Sequence, residues 1–430
     1  MARMRAPRGT EDVLPERIPC YDHVFSTCRE VLERHAYREI RTPLFEDTGL
    51  FVRSLGEATD VVEKEMFTAT RGDTSVSFRP EATASVVRAY LEHNLDKSRA
   101  FQKFFYIGPM FRFERPQAGR QRQFYQIGIE ALGSDSPLLD AEVITVAHRC
   151  FTALGVENAN VHINSIGDAR DRDVYREVLS GHMAAILDER CDDCRSRYER
   201  NVFRMLDCKV KGCQPGNQSA PRILDHLTPE SRARFDATAA ALDDLGVPYS
   251  IDHGIVRGLD YYTHTVFEVR CPDLGARDAI CGGGRYDGLT ADLGGPELGC
   301  TGFAIGVTPT MLALEQQGHP SAAAAEPHLD VFVMPVSDDL RAHGFKLLDK
   351  LRQAGLEADT DYEGKALKAQ MKSANRRGAR VVVVIGPDET ARGEVVVKDF
   401  VSGDERTLAD DDALPGVLRQ LLSGGEAAAP

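Results

Sequence analysis

Two periods of apolar residues interleave along the chain. In YDHVFSTCREVLERHAY (21–37) the apolar positions fall at helical spacing, whereas REIRTPLFED (38–47) looks extended and is broken by Pro43. Over 101–133 the alternation is strong, in FFYIGPMFRFE and RQFYQIGIEALG. It predicts two antiparallel strands joined by the charged loop RPQAGRQR. Helical spacing takes over across 170–245, and a strand pattern resumes in VPYSIDHGIVRGLDYYTHTVFEVR (247–270). The expected organisation is therefore a sheet domain over 1–168 and 250–318, interrupted by a helical insertion at 169–249.

The low-complexity stretch GHPSAAAAEPH (318–328) marks a linker at 319–327. After it come LDVFVMPV, DLRAHGFKLLDKLRQAG, LEADTDY, GKALKAQMKSANRRGA and RVVVVIGP, read as strand, helix, strand, helix, strand. That alternation predicts a small α/β domain with parallel strands over 328–423. Residues 424–430 read as a disordered tail.

Composition changes this picture in few places. At 430 residues, 42% hydrophobic and 27% charged, the chain is an ordinary globular one with room for two or three cores. A net charge of −14 excludes coating nucleic acid by bulk charge, so any nucleic-acid surface must be a local patch. One such patch is legible: Lys365, Lys368, Lys372 and Arg376 fall at one-face helical spacing, with no acidic residue from 365 to 380. The other reading of such a run is a solvated helix face. No window is long enough to cross a membrane, and MARMRAPRGTEDVLP has no apolar secretory run, so a cytoplasmic protein is expected.

Six of the ten cysteines are scattered singly among apolar or glycine-rich residues, as small hydrophobes would be. The other four, Cys191, Cys194, Cys208 and Cys213, follow the pattern C-x2-C, thirteen residues, C-x4-C. Both pair spacings let thiolates converge on tetrahedral zinc, which is favoured here over four free thiols; with four sulfur ligands the role would be structural.

Four further stretches carry candidate chemistry. In FRFERPQAGRQRQFYQIGIE (111–130), Arg112, Arg115, Arg120 and Arg122 crowd a loop, the forks suited to phosphate or carboxylate. Gln126 and Glu130 share one face of an otherwise apolar strand, where polar groups need partners; a solvated hairpin tip is the competing reading for the arginines. VRGLDYYTHTVFEV (256–269) sets Arg257 and Asp260 about a glycine and then two tyrosines, which read either as a site or as an internal ion pair with core tyrosines. CGGGRYDGL (281–289) implies close backbone approach, or a turn. GFAIGVTPTMLAL (302–314) reads as a glycine-bearing strand entering a helix, with Thr308 as N-cap and Pro309 at the first helical position. Such a place suits a phosphate, yet it carries no charged residue.

Together these segments resemble histidyl-tRNA synthetases, members of the class II aminoacyl-tRNA synthetases, nearly from end to end. PRGTEDVLP, FEDTGLFVRSLGEATDVVEKEMFT and RPEATASVVRAYLEH look like that family's N-terminal signatures, and FRFERPQAGRQRQFYQIGIE is similar to its second class motif. VRGLDYYTHTVFE and CGGGRYDGL look like its histidine-specific motifs. The resemblance implies an α/β (α+β) fold: an antiparallel catalytic sheet flanked by helices, a helical insertion, and a C-terminal anticodon-binding domain. It implies activation of L-histidine with ATP to histidyl-adenylate, then transfer to the 3′ end of tRNA(His), by a homodimer.

By the same resemblance Arg112 holds the α-phosphate and the histidine carboxylate, and Arg257 does catalytic work opposite it. Glu81, Thr83 and Gln126 bind the α-amino group, while Glu130, Tyr261 and Tyr262 read the imidazole. Arg112, Glu114, Arg120 and Gly306 would meet ATP with its Mg²⁺. Arg115 and Gln117 would meet the tRNA acceptor end, gripped also by the insertion, and the Lys365–Arg376 patch the anticodon. One departure stands out. The family's third motif follows GFAxGx with Glu-Arg, the arginine holding the γ-phosphate end of ATP; here those positions are Thr308 and Pro309. Proline offers no donor. The alternative implied is a histidine-binding paralogue of weak or absent activity, of the type of the ATP phosphoribosyltransferase regulatory subunit. A synthetase-like RNA-sensing domain is a third class. The intact VRGLDYY and the C-terminal domain favour the synthetase.

Overall fold

A computed structural model describes residues 3–56, 59, 61–98, 101–114, 120–256, 259 and 261–423. The chain divides into two compact units, residues 1–323 and 324–430.

The first unit is built on an eight-stranded sheet. In chain order its strands are β1 (Arg38–Glu39), β2 (Gln102–Phe111), β3 (Gln123–Leu132), β4 (Asn160–Ser165), β5 (Tyr249–Ile251), β6 (Thr263–Arg270), β7 (Ala279–Arg285) and β8 (Cys300–Gly306). Their order across the sheet is β1-β2-β3-β8-β7-β6-β4-β5. The interior is antiparallel throughout; only the outermost pairs, β1 with β2 and β4 with β5, run parallel. β2 and β3 form the expected antiparallel pair, in register from Gln102 opposite Leu132 to Phe111 opposite Gln123.

Strand alternation gives the sheet two different faces. Ile127, Ile129 and Ala131 of β3 enter a core with the helices Ile18–Arg34, Pro137–Leu154 and Val307–Gln316. Val24, Cys28, Ile144, Phe151 and Leu314 are fully buried there, Val24, Ile144, Phe151 and Leu314 each contributing about 1.5–3 kcal/mol by removal from water. The other face holds the helix Thr83–Glu92 and a cluster of tyrosines. An ion pair locks this framework: Arg285, 0% exposed, meets Asp140 at 2.6 Å and Asp287 at 2.9 Å. Arg285 is thus a structural lock, and removing either member of the buried pair with Asp140 would cost about 3–5 kcal/mol.

Within the stretch expected as an insertion, residues Tyr175 through Ile223 share a separate small core with Cys194, Cys208 and Cys213. The last helix, Pro229–Asp244, packs elsewhere: its Phe235 and Leu242 join the main core. The helix after β8 also begins earlier than the sequence suggested. Gly306 is its N-cap, so Thr308 and Pro309 sit in its first turn. There the missing N–H of proline costs nothing, because first-turn N–H groups have no partner inside the helix.

The second unit is a five-stranded sheet of β9 (Leu329–Pro335), β10 (Ala358–Thr360), β11 (Ala379–Ile385), β12 (Glu394–Asp399) and β13 (Glu405–Ala409), in the order β10-β9-β11-β12-β13. The parallel arrangement expected holds for β10, β9 and β11. β12 and β13 are antiparallel additions that the sequence reading did not include.

Candidate active site

β3 supplies the base of the site. Gln126 and Glu130 point away from the helix-packed core into a cavity of about 160 Å³. Glu81 and Thr83, at the start of the helix Thr83–Glu92, and Tyr261 and Tyr262, just before β6, close over it. The six residues expected to bind histidine therefore converge, and Arg112 completes the wall.

The cavity is polar and tightly tied. Glu130 is 1% exposed; its Oε1 accepts from Thr83 Oγ1 at 2.7 Å and its Oε2 accepts from the Tyr286 hydroxyl. Burial pushes its carboxyl up to about 8, with Glu81 nearby adding to the rise, while the bonds from Tyr286 and Thr83 oppose it. Glu81 accepts from the backbone N–H groups of Thr83 at 2.8 Å and Ala84 at 2.9 Å; burial nonetheless raises its carboxyl above the ordinary value. Gln126 Oε1 is buried without a partner, an acceptor waiting for a donor. Burial also keeps the phenol of Tyr261 neutral.

Two glycines make room for this arrangement. A Cβ on Gly302 would come within 2.3 Å of both Glu130 Oε2 and the Ile129 carbonyl. One on Gly128 would strike the Tyr106 ring, directly across the β2–β3 pair. The space left at Gly302 is thus filled by the protein's own carboxylate.

Arg112 and Leu259 also line an adjoining groove of about 400 Å³. Arg112 donates through Nε to the Pro80 carbonyl at 2.9 Å, and its guanidinium lies 5.5 Å from the centre of the Phe124 ring. Arg120 donates to Glu114 at 2.9 Å, and Gly306, Thr308 and Pro309 form part of the wall. The carboxylates of Glu65, Glu114, Asp207 and Glu268 line it too, hard oxygen donors that would suit Mg²⁺ carried by a phosphate chain.

Some expected residues stand apart. Arg257, Arg115 and Gln117 lie outside the described residues, as does the tail 424–430. Lys368, Lys372 and Arg376 are exposed on the helix Leu367–Arg376, opposite the buried Gln370, Ser373 and Ala374. Lys365 precedes that helix, and its ammonium meets Glu363 at 2.5 Å, so it does not share the helical face expected of it. The four clustered cysteines do converge, all four Sγ atoms lying within 4.8 Å of one another. Burial opposes ionisation of Cys213, but the Cys191 N–H and the neighbouring thiols bring it down to about 7.

The sequence reading missed Tyr106, Tyr286 and Arg204. Tyr106 was signalled by alternation opposite Gly128, an aromatic facing a residue without a side chain. Tyr286 lies just past the three glycines and Arg285 of β7, in a stretch read only for its glycines. Arg204 had no local signal, because the groove it lines is made by distant segments.

Comparison with known proteins bears on this geometry. The family model for histidyl-tRNA synthetase matches residues 9–309, and that for the anticodon binding domain matches 330–420. The chain belongs to the histidyl-tRNA synthetase family. A histidine–tRNA ligase of Desulforamulus reducens is 45% identical over 94% of this chain and 96% of its own length. One from Shouchella clausii is 44% identical over 98% and 99%. The crystal structure of apo Staphylococcus aureus histidyl-tRNA synthetase matches with a TM-score of 0.79 and 38% identity, over 97% of this chain and all of that one. A Bacillus halodurans C structure titled as an ATP phosphoribosyltransferase regulatory subunit/histidyl-tRNA synthetase gives 0.63 at 19% identity over 89% of this chain and 98% of that one, a likeness of fold alone. The family's class II fold, an antiparallel catalytic sheet with a C-terminal anticodon-type domain, is the fold described above. Thr308 and Pro309 line the groove and are not among the residues that line the smaller cavity around Glu130.

Proposed function

We propose that the chain is a histidine–tRNA ligase that forms histidyl-adenylate from L-histidine and ATP and passes the histidyl group to tRNA(His). The observation that carries this is the enclosed polar cavity opening past Arg112 onto a larger charged groove. The cavity suits one amino acid with a small polar ring. Gln126 Oε1 and Glu81 would accept from the α-ammonium, and Arg112, shared by both spaces, would hold the carboxylate against the α-phosphate. Glu130, with the tyrosine hydroxyls about it, would pair the ring nitrogens; this is recognition by polar pairing, which rejects isosteres strongly.

In the first step a histidine carboxylate oxygen attacks the α-phosphorus and pyrophosphate leaves. In the second, a ribose hydroxyl of the tRNA's terminal adenosine attacks the carbonyl and AMP leaves. Guanidinium groups stabilise the charge developing on phosphate, Arg257 being the residue assigned to that work. A further channel of about 400 Å³, lined by Arg172, Arg176, Arg200 and Tyr198, reaches Tyr262 and would admit the single-stranded 3′ end by phosphate contact and stacking. Zinc at Cys191, Cys194, Cys208 and Cys213 would be structural, since four sulfur ligands leave no open position. A homodimer in the cytoplasm, with Lys368, Lys372 and Arg376 meeting the anticodon, completes the reading.

Histidine-dependent ATP–pyrophosphate exchange tests it without tRNA. Exchange that requires histidine is expected. A chain that binds histidine and exchanges nothing would instead be a regulatory paralogue.

A further inference from the structure

The groove beside Arg112 needs positive charge for a triphosphate, and Thr308 and Pro309 bring none. Among the described residues, the guanidinium groups lining it are Arg112, Arg120 and Arg204. The first two belong to the β2–β3 hairpin and its loop. Arg204 comes from elsewhere, the short turn Val202–Met205 of the cysteine-cornered core.

That turn is firmly held. Val202 and Met205 are buried with Cys194 and Cys208, and the Phe203 ring packs 5.7 Å from that of Tyr175. The Arg204 carbonyl accepts from Arg197 at 3.2 Å. The backbone is thus pinned on both sides, while the side chain lines the same groove as Thr308 and Pro309. Asp207, from the segment leading into Cys208, lines it as well.

We propose that Arg204 binds the terminal phosphates of ATP, so that the cysteine-cornered insertion supplies the cation that the helix Val307–Gln316 does not. The inference rests on the synthetase reading. A guanidinium fork suits a phosphate's paired oxygens, and one pinned at its backbone gives up little freedom on binding.

The test is pyrophosphate exchange by full-length Arg204→Ala with ATP and histidine varied separately, and with AMP as inhibitor. The expected result is a rise in KM for ATP of about ten- to hundredfold, with KM for histidine and inhibition by AMP within about twofold of the parent. AMP lacks the phosphates in question, so a residue that merely braces the fold would weaken all three together; that result overturns the proposal. An unchanged KM for ATP overturns it as well, while exchange by the parent leaves the synthetase reading standing. No exchange by the parent sinks that reading and this inference with it. Should Arg204→Ala not fold, Arg204→Gln, which keeps most of the side chain, carries the same comparison.

Discussion

Around Glu130 both carboxylate oxygens are already held, by Thr83 and Tyr286, and Gly302 leaves only the space that the carboxylate itself fills. Around Thr308 and Pro309 the groove is wider, its arginines come from separate segments, and carboxylates stand among them. The cavity is interlocked, so each part depends on the others and a polar group left alone there pays its full desolvation cost. On the reading proposed above, the groove would spread its hold on an anion over several cations, each contributing a share. Removing a single charged residue should therefore cost less at the second kind of site than at the first, and it is at the second that Thr308 and Pro309 stand where the resemblance led one to expect Glu-Arg.

The largest expected effect comes from breaking the interlock. Glu130→Ala would take from the Thr83 hydroxyl and the Tyr286 phenol the acceptor they share, and remove the acceptor for the ligand's ring. With about 1–3 kcal/mol for each stranded group, kcat/KM for histidine in the exchange reaction should fall about a thousandfold. A loss below about tenfold would mean the cavity is no more interlocked than the groove. Next comes Gly302→Ala. The added methyl would meet Glu130 and the Ile129 carbonyl at 2.3 Å, and the second of these is backbone that cannot swing aside. Overpacking of about 1–3 kcal/mol should raise KM for histidine about ten- to hundredfold while KM for ATP stays put. If both constants rose equally, the cavity and the groove would not be separable as described.

The same difference explains what could be read beforehand. Gln126 and Glu130 were legible because two polar residues on the buried face of a strand violate the local pattern, and such a violation demands a partner. The antiparallel β2–β3 pair was legible from alternation alone. Of the groove, Arg112, Glu114, Arg120 and Gly306 were reached by resemblance and do line it, whereas Arg204 was not, because its turn meets the hairpin and β8 only in the fold, and periodicity along the chain says nothing of distant encounters. Arg285 shows the opposite error to guard against: a charged residue after three glycines looks like a site, yet Asp140 and Asp287 hold it as a buried lock. β12 and β13 escaped notice because GEVVVKDF and ERTLAD are short strands whose pairing is set by the turn between them. Lys365 misled because its counter-charges, Asp361 and Glu363, lie just before the window in which acidic residues were absent.

A smaller effect, and of opposite sign, is expected from restoring the family's residues in the groove. Pro309 now rests on Gly306, whose missing Cβ would lie 2.7 Å from the proline ring. Thr308→Glu with Pro309→Arg would replace that ring by a guanidinium in a groove already lined, among the described residues, by Arg112, Arg120 and Arg204. One added charged contact is worth about 1.5 kcal/mol, so KM for ATP should fall about tenfold with KM for histidine unchanged. An unchanged KM for ATP would mean that the existing arginines already saturate the phosphate chain. The comparison would then sharpen, the groove being complete by other means.

A last comparison separates the two regions by pH. A glutamate carboxyl ordinarily titrates at 4.5, and burial carries that of Glu130 to about 8 in the folded chain. Between those values the folded chain holds a proton that the unfolded chain has released. Stability from this group is therefore fully present below about 4.5, declines as pH rises to about 8, and is level above that. Glu130→Gln stays neutral at every pH and should abolish this slope. Measured against the parent, its Tm should gain by a few degrees from about pH 5 to about pH 8 and then hold a constant offset. Thr308→Glu with Pro309→Arg leaves the buried carboxyl in place and should follow the parent's slope over the same range. An offset for Glu130→Gln that did not vary with pH would show Glu130 already ionised in the folded chain, and the cavity would then present a carboxylate rather than a carboxylic acid to its ligand.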